Sequence, residues 1–96
     1  MKNNQNQFEF TGVVFREGRS FVSLCLELDV ASQGRSLREV RKMLAEAVTL
    51  YLETCFEGGI PYLRPVPKEE DPRLQEPVNV VESFSLRVDF EVHAVA

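Results

Sequence analysis

The chain has 96 residues with an apolar share of 44%, enough for one domain with one core and too few for a second. The formal net charge of −4 argues against non-specific nucleic-acid binding, which depends on lysine and arginine at phosphates, and favours a basic protein partner. No apolar run approaches the roughly 20 residues that cross a bilayer, and the polar tail at 1–7 lacks the apolar segment of a signal peptide, so we expect a cytoplasmic protein.

Residues 8–28 predict two strands that meet at a turn over residues 16–19. Large apolar residues occupy even positions in both strands: Phe8, Phe10, Val14, Val22, Leu24, Leu26 and Leu28. A loop with an odd number of residues pairs even positions with even ones and places this whole set on one face, whereas a two-residue loop divides it. We therefore expect an odd loop, or a bulge near Gly18.

With an odd loop, the other face of the hairpin is apolar near its turn, where Val13, Phe15 and Phe21 lie. Clustered apolar groups away from the core mark interfaces more often than catalytic sites. These three residues are predicted to contact a partner or another copy of the chain.

The two cysteines, Cys25 and Cys55, each lie in a segment with the pattern of regular structure. Because no export signal is present, we expect both to be reduced structural thiols rather than a disulfide.

After the hairpin, residues 30–34 predict a short strand or turn, followed by a helix over residues 37–57. Ser36 and Glu39 have the spacing of a capping box, in which the serine hydroxyl and the glutamate carboxylate accept from backbone amides at the helix start. Apolar residues then recur at helical spacing, and two glycines at 58–59 supply the stop.

All five prolines fall within residues 59–78, which predicts an extended Pro-rich arm, either a mobile linker or a segment that folds against a second chain. Residues 83–95 alternate apolar and polar side chains, as expected for a strand with one buried face. The predicted fold class is α+β, an antiparallel-rich sheet with one long helix packed on one face, in the order β-β-β-α-β.

The stretch CLELDVASQGRSLREVRKMLAEAVTLYLE at 25–53 resembles the HicB-like antitoxin family. The resemblance lies in the turn sequence ELDVASQG at 27–34, in Glu39 early in the helix, and in the sequence YLE at 51–53. It implies a partial RNase H-like fold in a single domain spanning 1–96. It also implies a HicA-like partner, a small basic toxin that cleaves mRNA and whose active site the antitoxin masks.

Many members of that family carry a DNA-binding unit after the last strand. Here the chain ends at Ala96, so direct DNA binding is not expected, and no membrane association is expected either.

Three interpretations are open for Glu27 and Asp29: solvated strand-end and turn residues, contacts to a basic partner, or, with Asp89 and Glu91, the acids of a two-metal nuclease. No histidine accompanies these carboxylates at metal-ligand spacing, and the single histidine, His93, has no identifiable positioned partner. We therefore predict no catalytic residue, no cofactor and no metal.

The leading functional prediction is an antitoxin domain, not an enzyme, that binds and masks a small basic RNA-cleaving toxin and forms a homo-oligomer. The alternative is a solitary oligomeric adaptor that has no toxin, and the third candidate is the divalent-metal nuclease. The predicted partner or oligomer contacts are Val13, Phe15, Phe21, Glu27 and Asp29.

Overall fold

The computed structural model describes residues 5–91. It contains a four-stranded antiparallel sheet and one long helix, so the predicted α+β class is confirmed. The elements are β1 (Gln5–Glu17), β2 (Ser20–Cys25), β3 (Val30–Gly34), α1 (Leu37–Gly58), the short helix α2 (Pro72–Gln75) and β4 (Val80–Glu91), with 3-10 turns at Lys68–Glu70 and Pro77–Asn79. The strands lie side by side in the order β3-β2-β1-β4.

The loop between β1 and β2 has two residues, Gly18 and Arg19, so the prediction of an odd loop is wrong. The register pairs Glu17 with Ser20 at the loop and Phe15 with Val22 further along. Gly18 has a φ of 62°, the left-handed value that the first central residue of a type II′ hairpin turn needs and that glycine adopts without strain.

This register divides the apolar residues of the hairpin between the two faces of the sheet, because directly paired residues share a face. One face carries Phe10, Val14, Ser23 and Cys25, and the other carries Val13, Phe15, Val22 and Leu24. All of these except the half-buried Phe15 are buried. The sheet therefore has two apolar faces, each of which must be covered.

Helix α1 covers the first face. The core there is formed by Phe10, Cys25, Leu28, Leu44, Val48, Leu52, Leu86 and Val88. Close to the start of α1, the Ser23 hydroxyl donates to the Val40 carbonyl at 3.0 Å, and a Cβ on Gly34 would lie 2.7 Å from the Val40 nitrogen. Any larger residue than glycine would therefore push β3 away from the helix.

The ends of α1 follow the local signals in the sequence. Ser36 accepts from the Glu39 amide at 3.1 Å, and the Glu39 carboxylate accepts from the Arg35 amide at 2.8 Å, one residue earlier than in a standard capping box. At the other end Gly59 is left-handed, with a φ of 63°. The helix is thus one residue longer than predicted.

The Pro-rich arm folds against its own chain. The Arg64 amide donates to the Glu27 carbonyl at 2.9 Å, and the Val66 amide donates to the Leu26 carbonyl at 2.8 Å. Further along, α2 and the 3-10 turn at Pro77–Asn79 lie against β1. Since α1 occupies the other face of the sheet, the arm is the segment left, within the described part of the chain, to shield the second apolar face.

One ion pair fixes the middle of this arm. Asp71 is only 7% exposed and caps α2 by accepting from the Arg73 amide at 2.9 Å. The Arg73 guanidinium meets the same carboxylate through Nε to Oδ1 at 3.2 Å and Nη2 to Oδ2 at 3.0 Å. These hydrogen bonds from Arg73 lower the pKa of Asp71 below its ordinary value of 3.8.

The boundaries of β1 and β4 differ from those predicted from the sequence. β1 begins at Gln5, inside the segment expected to be a polar tail, and residues 1–4 lie outside the described part. β4 begins at Val80, three residues before the predicted strand, and residues 92–95 of that prediction also lie outside. Between residues 5 and 91, no helix is long and apolar enough to cross a membrane.

Replacing Gly18 with alanine should lower the free energy of unfolding by about 1 kcal/mol, because an L residue is strained in the left-handed region. No atom lies within 4 Å of an added Cβ, so the effect is purely conformational. Gly18→Asn is the matched control, since asparagine tolerates this region better. Urea unfolding should rank glycine above asparagine and asparagine above alanine; three equal stabilities would contradict the turn.

Replacing Asp71 with asparagine keeps a helix-capping side chain and removes the charge. Because the folded state lowers the pKa of Asp71, its ionised form stabilises the fold above the unfolded pKa, and this contribution is lost as pH falls through the lowered folded value. Denaturant unfolding should show wild type more stable than Asp71→Asn at neutral pH, with the gap closing in acid. A gap that does not change with pH would contradict the ion pair.

Candidate partner-binding surface

The three apolar residues predicted to share an exposed face do not share one. Val13 is fully buried, so it is not accessible to a partner in this monomer. Phe15 pairs with Val22 and lies on the arm side of the sheet, whereas Phe21 pairs with Arg16 on the helix side, where the Arg16 guanidinium lies 5.1 Å from the centre of its ring. The even-odd register of the hairpin is the reason for this separation.

The Glu27 carboxylate accepts hydrogen bonds from within the chain. The β1–β2 register extended by one pair would place Thr11 opposite Leu26, and the Leu26 amide does donate to the Thr11 carbonyl at 3.0 Å. The returning bond is different: the Thr11 amide donates to Glu27 Oε1 at 2.8 Å, and its hydroxyl donates to Oε2 at 2.8 Å. The carboxylate thus replaces the Leu26 carbonyl, which is left to accept from Val66 of the arm.

Cys25 lies beside the same carboxylate, with its sulfur 3.9 Å from Glu27 Oε1. Burial, and after it the negative charge of Glu27, raises the pKa of the Cys25 thiol to about 12. The thiol is therefore protonated and unreactive at neutral pH. Cys55 is also buried, and neither cysteine is in a disulfide here; their reduced state in the cell stays a prediction.

Asp29 ends the four-residue turn that begins at Leu26. Its backbone is left-handed, with a φ of 54°, and its amide donates to the Cys25 carbonyl at 2.9 Å. Its carbonyl accepts from Arg64 Nη2 at 3.3 Å, while the residue as a whole is exposed. The role of Asp29, Phe15 and Phe21 as partner contacts stays a prediction.

The carboxylates proposed for a nuclease do not form a cluster in the described residues. Among the side chains described, those of residues 7–89, no three histidine, cysteine, aspartate or glutamate groups lie close enough to hold a metal ion; the Glu91 side chain lies outside this range. Asp89 is exposed on β4, and His93 lies outside the part of the chain that is described.

A different surface, which the sequence did not suggest, lies at the end of α1. The rings of Phe8, Phe56 and Tyr62 pack together, with centroids 5.5–6.0 Å apart. Ile60 and Leu63 follow in the chain and are 56% and 62% exposed, while Phe56 is 38% exposed. We call these five residues the aromatic end patch.

The end of α1 sets the position of this patch. Around the left-handed Gly59, the Gly59 amide donates to the Phe56 carbonyl at 3.4 Å and the Ile60 amide donates to the Cys55 carbonyl at 2.8 Å, which is the Schellman arrangement. The chain then turns back along the helix, where the Tyr51 hydroxyl donates to the Tyr62 carbonyl at 2.9 Å. The aromatic rings are thus held by backbone geometry on both sides.

Arg64 fastens the segment that follows the patch to the turn at residues 26–29. Its Nε donates to the Leu28 carbonyl at 3.3 Å, in addition to its bonds to the carbonyls of Glu27 and Asp29. Its guanidinium also lies 5.2 Å from the centre of the Tyr51 ring, at cation–π distance. One residue therefore joins the helix, the turn and the arm.

The chain segment that carries most of the aromatic end patch is acidic up to Arg64, whose guanidinium bonds the carbonyls of Leu28 and Asp29. From Met43 to Leu63 the chain has no lysine or arginine, and it carries Glu46, Glu53 and Glu57. The last turn of α1 contains no basic residue, so the partial negative charge of roughly half a unit at the carbonyl end of a helix is not neutralised locally. An apolar centre in a negative field suits a basic partner.

Comparison with known proteins gives one kind of information, about the fold. No family model matches the chain, and no curated protein matches its sequence. A solved structure described as "HicA3 and HicB3 toxin-antitoxin complex" contains a chain that matches with a TM-score of 0.56 and 18% identity, over 91% of this chain and 100% of that one. At this identity the likeness concerns the fold alone.

These findings correct the identification of the chain as a member of the HicB-like family. No family model supports it, and the matched complex contains both HicA3 and HicB3, so the match does not distinguish a toxin-like chain from an antitoxin-like one. The short motif at 27–34 folds as a turn with a structural role for Glu27, and such a turn is too small to define a family.

Replacing Glu27 with alanine should lower the free energy of unfolding by about 1–3 kcal/mol, since it leaves the Thr11 amide and hydroxyl without their acceptor. It should also speed hydrogen exchange at the Thr11 amide. Glu69→Ala, which removes an exposed carboxylate from the arm, is the control. Equal stability of the two variants would mean that Glu27 does not hold the strand.

Proposed function

We propose that this chain is the inhibitory member of a toxin–antitoxin pair, which binds a small basic RNA-cleaving protein and covers its active site. The observation that carries the proposal is the aromatic end patch in its negative surroundings. The fold likeness to a chain of a toxin–antitoxin complex supports the same direction. The assignment of the fold as partial RNase H-like stays a prediction.

The patch has the composition of a binding hot spot. Aromatic groups are enriched in the centres of interfaces, and the residues around them exclude water. Burying an exposed isoleucine or leucine side chain stabilises a complex by roughly 1.5–3 kcal/mol, and Ile60 and Leu63 are the more exposed members. Phe8 and Tyr62 pack against the core, so the patch is held in place before a partner arrives and little ordering is required.

Charge supplies the second part of the recognition. The net charge of −4 and the acidic segment from Met43 to Leu63 attract a basic protein, which raises the rate of association and makes it sensitive to salt. Inhibition by covering an active site requires shape and charge from this chain and no bond-making step. The fixed aromatic rings and the rigid helix end meet that requirement.

The test begins with the genes beside the one for this chain: where one of them encodes a small basic protein, the two proteins are co-expressed. We expect rescue of growth and a complex that co-purifies. The double variant Ile60→Ser and Leu63→Ser should weaken that complex about 100-fold, as the loss of two apolar contacts implies, with no change in the unfolding midpoint because both side chains are exposed.

Leu74→Ser with Val78→Ser is the matched control, since these arm residues are 58% and 94% exposed and lie away from the patch. It should bind as wild type does. Unchanged affinity of the patch variant would show that the patch is not part of the interface. Failure to rescue growth together with no complex would refute the proposal.

A further inference from the structure

Strand β4 forms a long open edge of the sheet. It has 12 residues and is flanked by β1 on one side, while no other strand within residues 5–91 lies on its outer side. An open edge of this length presents unpaired backbone amides and carbonyls to another strand. The opposite edge, β3, has only 5 residues and packs against α1, so it offers less to a partner.

The hydrogen-bond pattern of the sheet determines which backbone groups of β4 point outward. The Leu26 amide donates to the Thr11 carbonyl, so odd residues of β1 direct their backbone groups to β2 and even residues direct theirs to β4. Even residues of β1 pair with even residues of β4, as Phe10 does with Leu86. The odd residues of β4 therefore direct their amides and carbonyls to the open edge: Ser83, Ser85, Arg87 and Asp89.

Two of these edge residues carry opposite charges on the same side of the strand. Arg87 pairs with Glu9, and Asp89 pairs with Gln7, so both side chains lie on the arm side of the sheet, where they are exposed. The Arg87 guanidinium lies 3.7 Å from Glu9, whereas no ion pair among the side chains of residues 7–89 involves Asp89. A cation and an anion that alternate along an edge are complementary to the same strand in the antiparallel direction.

We propose that β4 pairs with β4 of a second copy of the chain, antiparallel and about a two-fold axis at Val88. Arg87 of each copy then lies opposite Asp89 of the other in a hydrogen-bonded pair, and Val88 lies opposite its own copy in a non-hydrogen-bonded pair. The four charges form a checkerboard, because each has the opposite sign beside it along its strand and across the joint. This isologous contact closes at two copies.

The charges favour this register over the others that the backbone permits. Because the outward groups belong to odd residues, the two-fold axis can lie at any residue of β4. An axis at Arg87 or at Asp89 places that residue opposite its own copy, which brings like charges together. An axis at Leu86 places both charges opposite serine side chains. The axis at Val88 places both charges opposite the other sign.

Within the described residues, the two strands overlap over 85–91 of each copy. The outward residues at 85, 87, 89 and 91 then exchange about eight backbone hydrogen bonds with the other copy. Because the axis is perpendicular to the sheet, α1 of both copies lies on the same face, and the two four-stranded sheets become one continuous sheet. A contact through a single strand edge buries little surface, so the dimer is weak and depends on concentration.

Charge reversal tests the register. By sedimentation at low salt, the full chain should show a dimer that Arg87→Asp and Asp89→Arg each weaken about tenfold or more, because like charges then face each other in two pairs. An equimolar mixture of these two variants should restore the dimer, since every pair between the copies is then of opposite sign. Lys68→Glu, an exposed reversal on the arm, is the control and should leave dimerisation unchanged.

Ser85→Pro tests the backbone pairing separately, because it removes an amide that points away from β1 and leaves the hydrogen bonds to β1 in place. It should weaken the dimer about tenfold, whereas Ser85→Ala, which keeps the amide, should dimerise as wild type does. Ile60→Ser with Leu63→Ser should also dimerise, so the outcome is independent of the proposed function.

The proposal is overturned by a wild-type chain that stays monomeric up to millimolar concentration, or by a dimer that both charge variants retain. It is equally overturned by a mixture that fails to associate, or by a proline variant that dimerises as wild type does. Loss of the dimer in the variant Ile60→Ser with Leu63→Ser would place the contact at the aromatic end patch and not at the strand edge.

Discussion

The two-residue turn at Gly18 and Arg19 is the constraint on which the rest of the structure depends. Because it pairs even positions of β1 with odd positions of β2, it sends apolar side chains to both faces of the sheet. One long helix covers only one of those faces. The second face needs another cover, and the Pro-rich arm provides it by returning across β1. Turn geometry thus determines that the arm is part of the fold and not a linker.

The turn at residues 26–29 connects this arm to the sheet. Glu27 supplies the acceptor that Thr11 needs, and the Leu26 carbonyl released by this exchange accepts from the arm. Arg64 then bonds three carbonyls of the same turn, immediately after the segment that carries Tyr62 and Leu63. The acidic turn is therefore a structural joint, which holds the aromatic end patch in a fixed position beside the end of α1.

The elements that the sequence predicted well are those with local causes. Ser36, Glu39 and Gly59 define α1 through contacts within a few residues, and the alternation in β4 is a property of that strand alone. The number of residues in the β1–β2 loop, even or odd, was not predictable from the sequence. Choosing between a two-residue loop and an odd loop requires knowing that the arm covers the second face of the sheet. The same holds for Glu27, whose partner Thr11 is sixteen residues away, and for Phe56, which packs on Phe8 although the two are far apart in the sequence. A short motif suggested a family, whereas the fold is what the comparison supports.

The central claim, that the hairpin register gives the sheet two apolar faces, is tested most directly by cross-strand nuclear Overhauser effects in the labelled protein. In an antiparallel pair, α-protons lie close only at the positions that do not exchange hydrogen bonds. We expect α-proton contacts between Val14 and Ser23 and between Arg16 and Phe21, with an amide contact between Phe15 and Val22. Contacts that instead join Val14 to Val22 would show an odd loop with one apolar face, and would contradict the account.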